Sequence, residues 1–191
     1  MKEESQRIAL RAFAEQDFPL LNSEIENARF ILQWAGPKYS FPLTWEQIHL
    51  RNEMIVNGKK SIYVFKAVDQ EADRTVGFIE LPIRDFVSKV ANVESVLVFR
   101  KYRGQGYGKQ LMSAIVQFGF QQLQMSELTL SVFDFNVSAI SCYENIGFER
   151  YEDGVTFRSF EKEKWGLVRM KLTKDQWNQS NVRPSSVGSS T

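Results

Sequence analysis

Val96-Leu97-Val98-Phe99-Arg100-Lys101-Tyr102-Arg103-Gly104-Gln105-Gly106-Tyr107-Gly108-Lys109 decides the fold of this chain. An apolar run ends in a turn with glycine at three alternate positions, and an amphipathic segment follows. Glycine adopts positive φ without strain and lets successive N–H groups approach a ligand. Unpaired amides at the start of the next helix add partial positive charge. Strand, turn and helix together therefore read as an anion seat suited to a pyrophosphate. Two other phosphate motifs fail on spacing. A P-loop needs G-x-x-x-x-G-K-[ST], but Arg103 stands at its first glycine and Gln110 follows Lys109. A dinucleotide fingerprint needs a third glycine where Lys109 stands. The bland alternative is a glycine-rich connector with no ligand.

Downstream, Met112, Ile115, Val116, Gly119, Phe120 and Leu123 are spaced 3,1,3,1,3, one stripe of a helix. Gly119 inside that stripe predicts close packing, since glycine costs about 1 kcal/mol against alanine in a helix. Leu128 to Phe133 reads as a buried strand. Strand, crossover helix and strand from Val93 to Phe133 predict a parallel pair. Upstream, strands are expected at Ile8 to Phe13, Ser61 to Val68, Thr75 to Ile83 and Val90 to Phe99. The last three are joined too closely for crossover helices and predict an antiparallel meander. Helices are expected over Asp17 to Gln33 and, capped by Thr44, from Trp45 to about Val56, where Asn57-Gly58 closes the second. A final strand is expected over Trp165 to Leu172. The fold class is α/β: one domain with a mixed, mostly antiparallel central sheet, flanked by helices and holding a parallel pair around the glycine turn. It is expected over residues 1–175, followed by a Ser-rich tail over 176–191.

A second motif, Asn136-Val-Ser-Ala139-Ile-Ser-Cys142-Tyr143-Glu-Asn-Ile-Gly147-Phe148, has the marks of a helix with both ends fixed. Asn136 suits the N-cap. Gly147 suits C′, and Phe148 should pack on Tyr143 as in a Schellman cap. Tyr143 is by itself readable as a core aromatic. R-G-x-G-x-G followed about 30 residues later by N-x-x-A-x-x-x-Y-x-x-x-G-F resembles the GNAT superfamily of acyl-CoA-dependent N-acyltransferases. The strong match covers about Val93 to Phe148.

That resemblance implies an acetyl-CoA-dependent N-acetyltransferase that works without a metal, by direct transfer to a primary amine in a ternary complex. Backbone of Val96, Leu97 and Val98 would pair with the pantetheine arm. Arg103, Gly104, Gln105, Gly106, Tyr107, Gly108 and Lys109 would hold the pyrophosphate. Asn136 would bond the pantetheine or neighbouring groups, and Tyr143 would act as general acid near the sulfur. Glu94 is the first choice of general base, ahead of Glu80 and Asp134, and the amide of Val98 would meet the oxyanion. Arg100 replaces a proline frequent in the family, and faces either solvent or the cofactor's 3′-phosphate. Expected acceptors are amine-bearing small molecules, peptides or proteins; a homodimer is an admissible assembly. The rival is a non-catalytic acyl-CoA sensor that keeps the seat and lacks the base.

Composition narrows the alternatives. With a formal net charge of +1, no overall field recruits nucleic acid. One cysteine, Cys142, and one histidine, His49, leave no disulfide and remove most metal sites built on those residues. Cys142 adjoins Tyr143 but points about 100° away on a helix, so a core role is expected rather than an acyl-enzyme. His49 reads as facing solvent or packing. Trp34, Tyr39, Phe41 and Trp45 lie where the family binds acceptors, and read either as an aromatic pocket or as helix packing. The N-terminus lacks an apolar signal core, and no apolar run approaches the 18 or so residues of a membrane span. A cytoplasmic protein free of the membrane is expected.

Overall fold

The computed structural model describes residues 7–151 and 157–181. In chain order its elements are β1 (Ile8–Ala12), α1 (Phe18–Asn22), α2 (Ala28–Ala35), α3 (Trp45–Asn52), β2 (Ile55–Val56), β3 (Lys59–Lys60), β4 (Ile62–Asp69), β5 (Arg74–Asp85) and β6 (Val90–Val98). They continue with α4 (Tyr107–Gln117), β7 (Glu127–Phe133), α5 (Val137–Glu144), β8 (Glu149–Arg150), β9 (Phe157–Phe160), β10 (Glu163–Thr173) and α6 (Lys174–Asn181). The main sheet runs β1-β4-β5-β6-β7-β10-β8, with β9 paired to β10. Its pairs are antiparallel except β6 with β7, so the sheet is mixed and mostly antiparallel, with the expected parallel pair.

Strand alternation gives the sheet two apolar faces. Phe78 and Val64 join Phe13, Leu21, Ile31 and Ile48 in a cluster under α1, α2 and α3. Ile79, Leu81 and Val93 join Leu111, Ile115, Phe120 and Ile140 under α4 and α5. Each helix buries its stripe on one side of a shared sheet, a three-layer solution to the same hydrophobic demand.

One irregularity in β6 shapes the sheet. Parallel pairing of β6 with β7 spans only Val90↔Glu127 to Val93↔Leu130. Just past it, Glu80↔Glu94 gives way to Phe78↔Leu97 between β5 and β6, so Ser95 and Val96 face a single residue, Ile79. Ser95 sits at φ 51°, a bulge with left-handed backbone. A bulge bends its strand, and here it turns the end of β6 away from β7. The two strands splay and leave a cleft between them.

Local expectations met several corrections. The helix expected over Asp17 to Gln33 is two helices, because Asn27 accepts the Phe30 N–H at 2.9 Å and starts α2 afresh. The helix from Trp45 is capped by Thr44 as expected but ends at Asn52. Asn57 (φ 52°) and Gly58 (φ 73°) instead turn the β2–β3 hairpin, the usual use of Asn-Gly. The α4 stripe continues past Gln117 as one π-helical turn, Phe118–Gln122. There a Cβ on Gly119 would lie 2.9 Å from Leu128, the close packing expected. The boundary expected at residue 175 falls inside α6. Thr173 caps that helix and Trp177 packs on Phe120 at 5.4 Å; residues 182–191 lie outside the described residues. No described helix is long and apolar enough to cross a membrane.

Candidate active site

The splay opens a cleft of about 690 Å³, walled by Val96, Leu97 and Val98 on one side and Ser131, Val132 and Phe133 on the other. Gly104 and Gly108 lie at one end, Lys38, Arg84 and Arg158 line the remainder, and Tyr143 forms part of the wall. Along a strand, successive N–H groups point to opposite sides. Phe99 donates to Val76 on β5, so the N–H of Val98 points the other way, into the cleft. The Val98 carbonyl, on that same side, accepts Arg103 Nε at 3.0 Å.

At the turn, Gly104 (φ 73°) and Gly106 (φ 82°) hold left-handed conformations that only glycine adopts freely. No heavy atom lies within 4 Å of where a Cβ on Gly104 would stand, so its outer face is open. Gly106 occupies the N-cap of α4 without a side-chain cap. The helical ladder begins with Gln110 N–H to Gly106 O at 3.3 Å, which leaves Tyr107, Gly108 and Lys109 without a carbonyl one turn back. These features fit a diphosphate. Two of its side chains brace the turn itself. Gln105 Nε2 donates to Lys101 O at 2.9 Å. Tyr107 is buried, and its hydroxyl donates to Asp69 at 2.6 Å. Asp69 also takes Arg7 at 2.8 Å, and these bonds hold its carboxyl well below the ordinary value. The start of α4 is thus pinned to β4. Lys109 is exposed. Arg100 is also exposed and pairs with Glu26.

On α5, Asn136 Oδ1 accepts the Ala139 N–H at 3.4 Å, the expected cap. Gly147 (φ 110°) and the Phe148 N–H to Tyr143 O bond of 3.0 Å complete the expected Schellman end. Tyr143 is 8% exposed, yet among the described residues its hydroxyl has no hydrogen-bond partner. Burial holds the phenol well above its usual pKa, so it keeps its proton at neutral pH. Cys142 is half-buried and touches the cleft, rather than being sealed in the core, and burial raises its thiol away from the reactive thiolate.

Glu94, 7% exposed, is the one acidic side chain on the cleft wall among the described residues. It binds Lys38 at 2.9 Å, Arg51 at 3.3 Å, Arg84, and Asn92 Nδ2 at 2.7 Å. Burial pushes its carboxyl up, but Lys38, Arg84 and Asn92 outweigh that and hold it below 4.5. Glu80 is fully enclosed by Tyr39, Ser95 and Arg51, away from the cleft. Asp134 is exposed and lies against Gly166 on β10. The aromatic segment divides as well. Trp34 lines the cleft and donates Nε1–H to Ser95 O at 2.9 Å, fixing the bulge. Tyr39 is buried behind it, Trp45 packs with Phe13, and His49 is exposed, stacked on Trp45. Lys38, Arg51, Arg84, Asn92, Ser95 and Arg158 were not foreseen. They come from five elements or loops, and no local spacing marks them.

Comparison with known proteins accords with this geometry. A family model described as "Acetyltransferase (GNAT) family" matches residues 28–148. An uncharacterized N-acetyltransferase from a Bacillus subtilis (strain 168) prophage is 29% identical over 31% of this chain and 41% of its own length. An N-acetyltransferase 9-like protein of Caenorhabditis briggsae is 26% identical over 49% of this chain and 50% of its own. The chain thus spans half or less of the length of these relatives. The crystal structure of a Vibrio cholerae spermidine N-acetyltransferase, in complex with CoA and spermine, shares the fold with a TM-score of 0.76 at 18% identity, over 91% of this chain and 99% of that one.

Proposed function

The chain belongs to the GNAT family of acetyltransferases, and from that premise we propose that it transfers the acetyl group of acetyl-CoA to a primary amine within the β6–β7 cleft. The observation that carries this reading is the conjunction of a free-amide glycine turn and a free tyrosine hydroxyl on one splayed cleft. The turn supplies unpaired amides for the diphosphate. The open edge of Val96 to Val98 can pair with an extended arm that leads inward, and Asn136 stands at the mouth.

Each residue then has a task. A lysine-type amine has a pKa near 10.4 and arrives protonated. Glu94 is the ionised carboxylate on the wall and receives that proton, directly or through water. The cations around it keep it ionised and make it a weak base, so the step gains as pH rises. The Val98 N–H meets the oxygen that becomes negative as nitrogen bonds to the carbonyl carbon. Tyr143 hands its proton to the sulfur as the carbon–sulfur bond breaks. The phenol, amide and carboxylate are held in place by α5, β6 and the cation cluster, the preorganisation such catalysis needs.

The saturation of Glu94 favours a second reading, a CoA-binding sensor without turnover. Thiol release from acetyl-CoA across a panel of amines, paired with calorimetry of CoA uptake, separates the two. Uptake with turnover supports the transferase, and uptake without turnover supports the sensor. No uptake at millimolar CoA would overturn both.

A further inference from the structure

The far end of the cleft has the wrong charge for a polycation. A polyamine acceptor needs unpaired carboxylates to replace its lost hydration. Glu94 is the only acidic side chain lining this cleft among the described residues, and three cations and an amide already occupy it. Glu80 is enclosed and bonded to Tyr39, Ser95 and Arg51. Away from the glycine turn, three cations that line the cleft (Lys38, Arg84 and Arg158) thus face one carboxylate, Glu94, an excess of two positive charges among the described residues.

Arg158 stands apart from the other cations. Lys38, Arg51 and Arg84 share Glu94, and Arg103 at the glycine end reaches the Val98 carbonyl and, at 3.9 Å, Glu24. Among the described residues the Arg158 guanidinium has no hydrogen bond and no ion pair. It is half-buried on β9, lines the cleft, and lies flat near the backbone of Gly36, with Cζ 3.6 Å from where a Cβ would stand. Its strand is anchored through the β9–β10 hairpin, in which Arg158 stands opposite Trp165. Arg29 of α2 binds Glu163 at 2.8 Å and stacks over Trp165, tying α2 to the β9–β10 hairpin above the cleft. Lys38 follows Gly36 by two residues and reaches Glu94, so the free guanidinium and the proposed proton acceptor flank one space. A planar, always-charged fork with free donors is the group that recognises a carboxylate in bidentate fashion.

We propose that the acceptor is an amine that also carries a carboxylate, an amino acid or short peptide, and that Arg158 binds that carboxylate. This rests on the transferase reading above, which assigns the cleft its acetyl donor. The amine end is directed toward Glu94 while the carboxylate is held by the fork across from it. The excess positive charge repels polyamines and draws such acceptors in.

The test uses amino acids and dipeptides, each against its own C-terminal carboxamide, with spermidine as a third arm. Transfer is measured for the wild type, Arg158→Ala and Arg158→Lys. Wild-type kcat/KM should favour the acid over the amide by roughly 10- to 100-fold, the range of a charge-assisted hydrogen bond. Arg158→Ala should erase that preference through KM while CoA affinity stays at the wild-type value, and Arg158→Lys should restore part of it. Equal rates for acid and amide, a preference for spermidine, or a preference that survives Arg158→Ala would each overturn the proposal. A binding arm stands apart from turnover: N-acetylglycine should bind the wild type and not Arg158→Ala, with N-acetylglycinamide binding neither. Should no amine be acetylated while that pattern holds, the transferase reading fails and the carboxylate site stands. Should N-acetylglycine not bind, the carboxylate site fails whatever the turnover.

Discussion

At the scale of single residues, the proposed proton traffic divides between Tyr143 and Glu94 by environment. The tyrosine is buried against apolar neighbours with its hydroxyl unpaired, so it is neutral and able to donate. The glutamate is buried against cations, so it is charged and able to accept. Tyr143→Phe removes the donor and keeps the ring. It should lower kcat by about 100-fold, the lower end of what general acids contribute, with CoA affinity unchanged by calorimetry. Glu94→Gln should cost most at low pH, and the loss should shrink as pH approaches the pKa of the amine, read from kcat/KM profiles. The same substitution has a stability signature. Because the folded carboxyl lies below the ordinary 4.5, its ionised form stabilises the fold above that pH, and the contribution fades as pH falls further. The gap in Tm between wild type and Glu94→Gln should therefore be widest at neutral pH and close below pH 4.5.

Among the elements, the course of β6 decides the cleft. A Cβ on Gly77 of β5 would lie 2.4 Å from the Leu97 carbonyl oxygen, so the tight β5–β6 approach needs glycine there. Gly77→Ala must push back backbone at the cleft wall. It should cost about 1–3 kcal/mol, as overpacking does, and should also weaken CoA binding. Gly119→Ala is the control. Its clash is with Leu128 side-chain atoms at 2.9 Å, away from the open edge, so it should lower Tm and spare CoA affinity. If both variants bind CoA alike, the curvature of β6 does not set the seat. The helix ends were legible in advance because capping is local: Asn136, Gly147 and Thr44 each act within a few residues. The break before α2 was missed because Asn27 reads as one polar residue in a helical stretch until its cap bond is seen.

For the molecule as a whole, the cleft is an opening in the middle of its main sheet, bordered by helices that pack on opposite faces. A ligand that pairs with the Val96–Val98 edge would bridge the splay and stabilise the native state by mass action. At 100 times its Kd, CoA should add about 2.7 kcal/mol, raising Tm by roughly 5–10 °C in a domain of this size. A smaller molecule bearing only the diphosphate should give less, since it leaves the splayed edge unbridged.

The sequence by itself determined the family resemblance, the glycine turn, the α4 stripe, the α5 caps, the meander and the parallel pair. All of these are written in spacings of a few residues, because φ preference, helical period and capping act over one or two turns. Only the tertiary structure decided where the charges sit. Glu94, Lys38, Arg51, Arg84 and Arg158 are drawn from β6, two loop and helix segments, β5 and β9, and no period links them. Their partnership exists because a bulge at Ser95 bends β6 and a hairpin from β9 to β10 is tied over α2. Ion pairing acts through space at about 3 to 4 Å, so the charge balance of the acceptor end becomes visible only after the chain has folded around it.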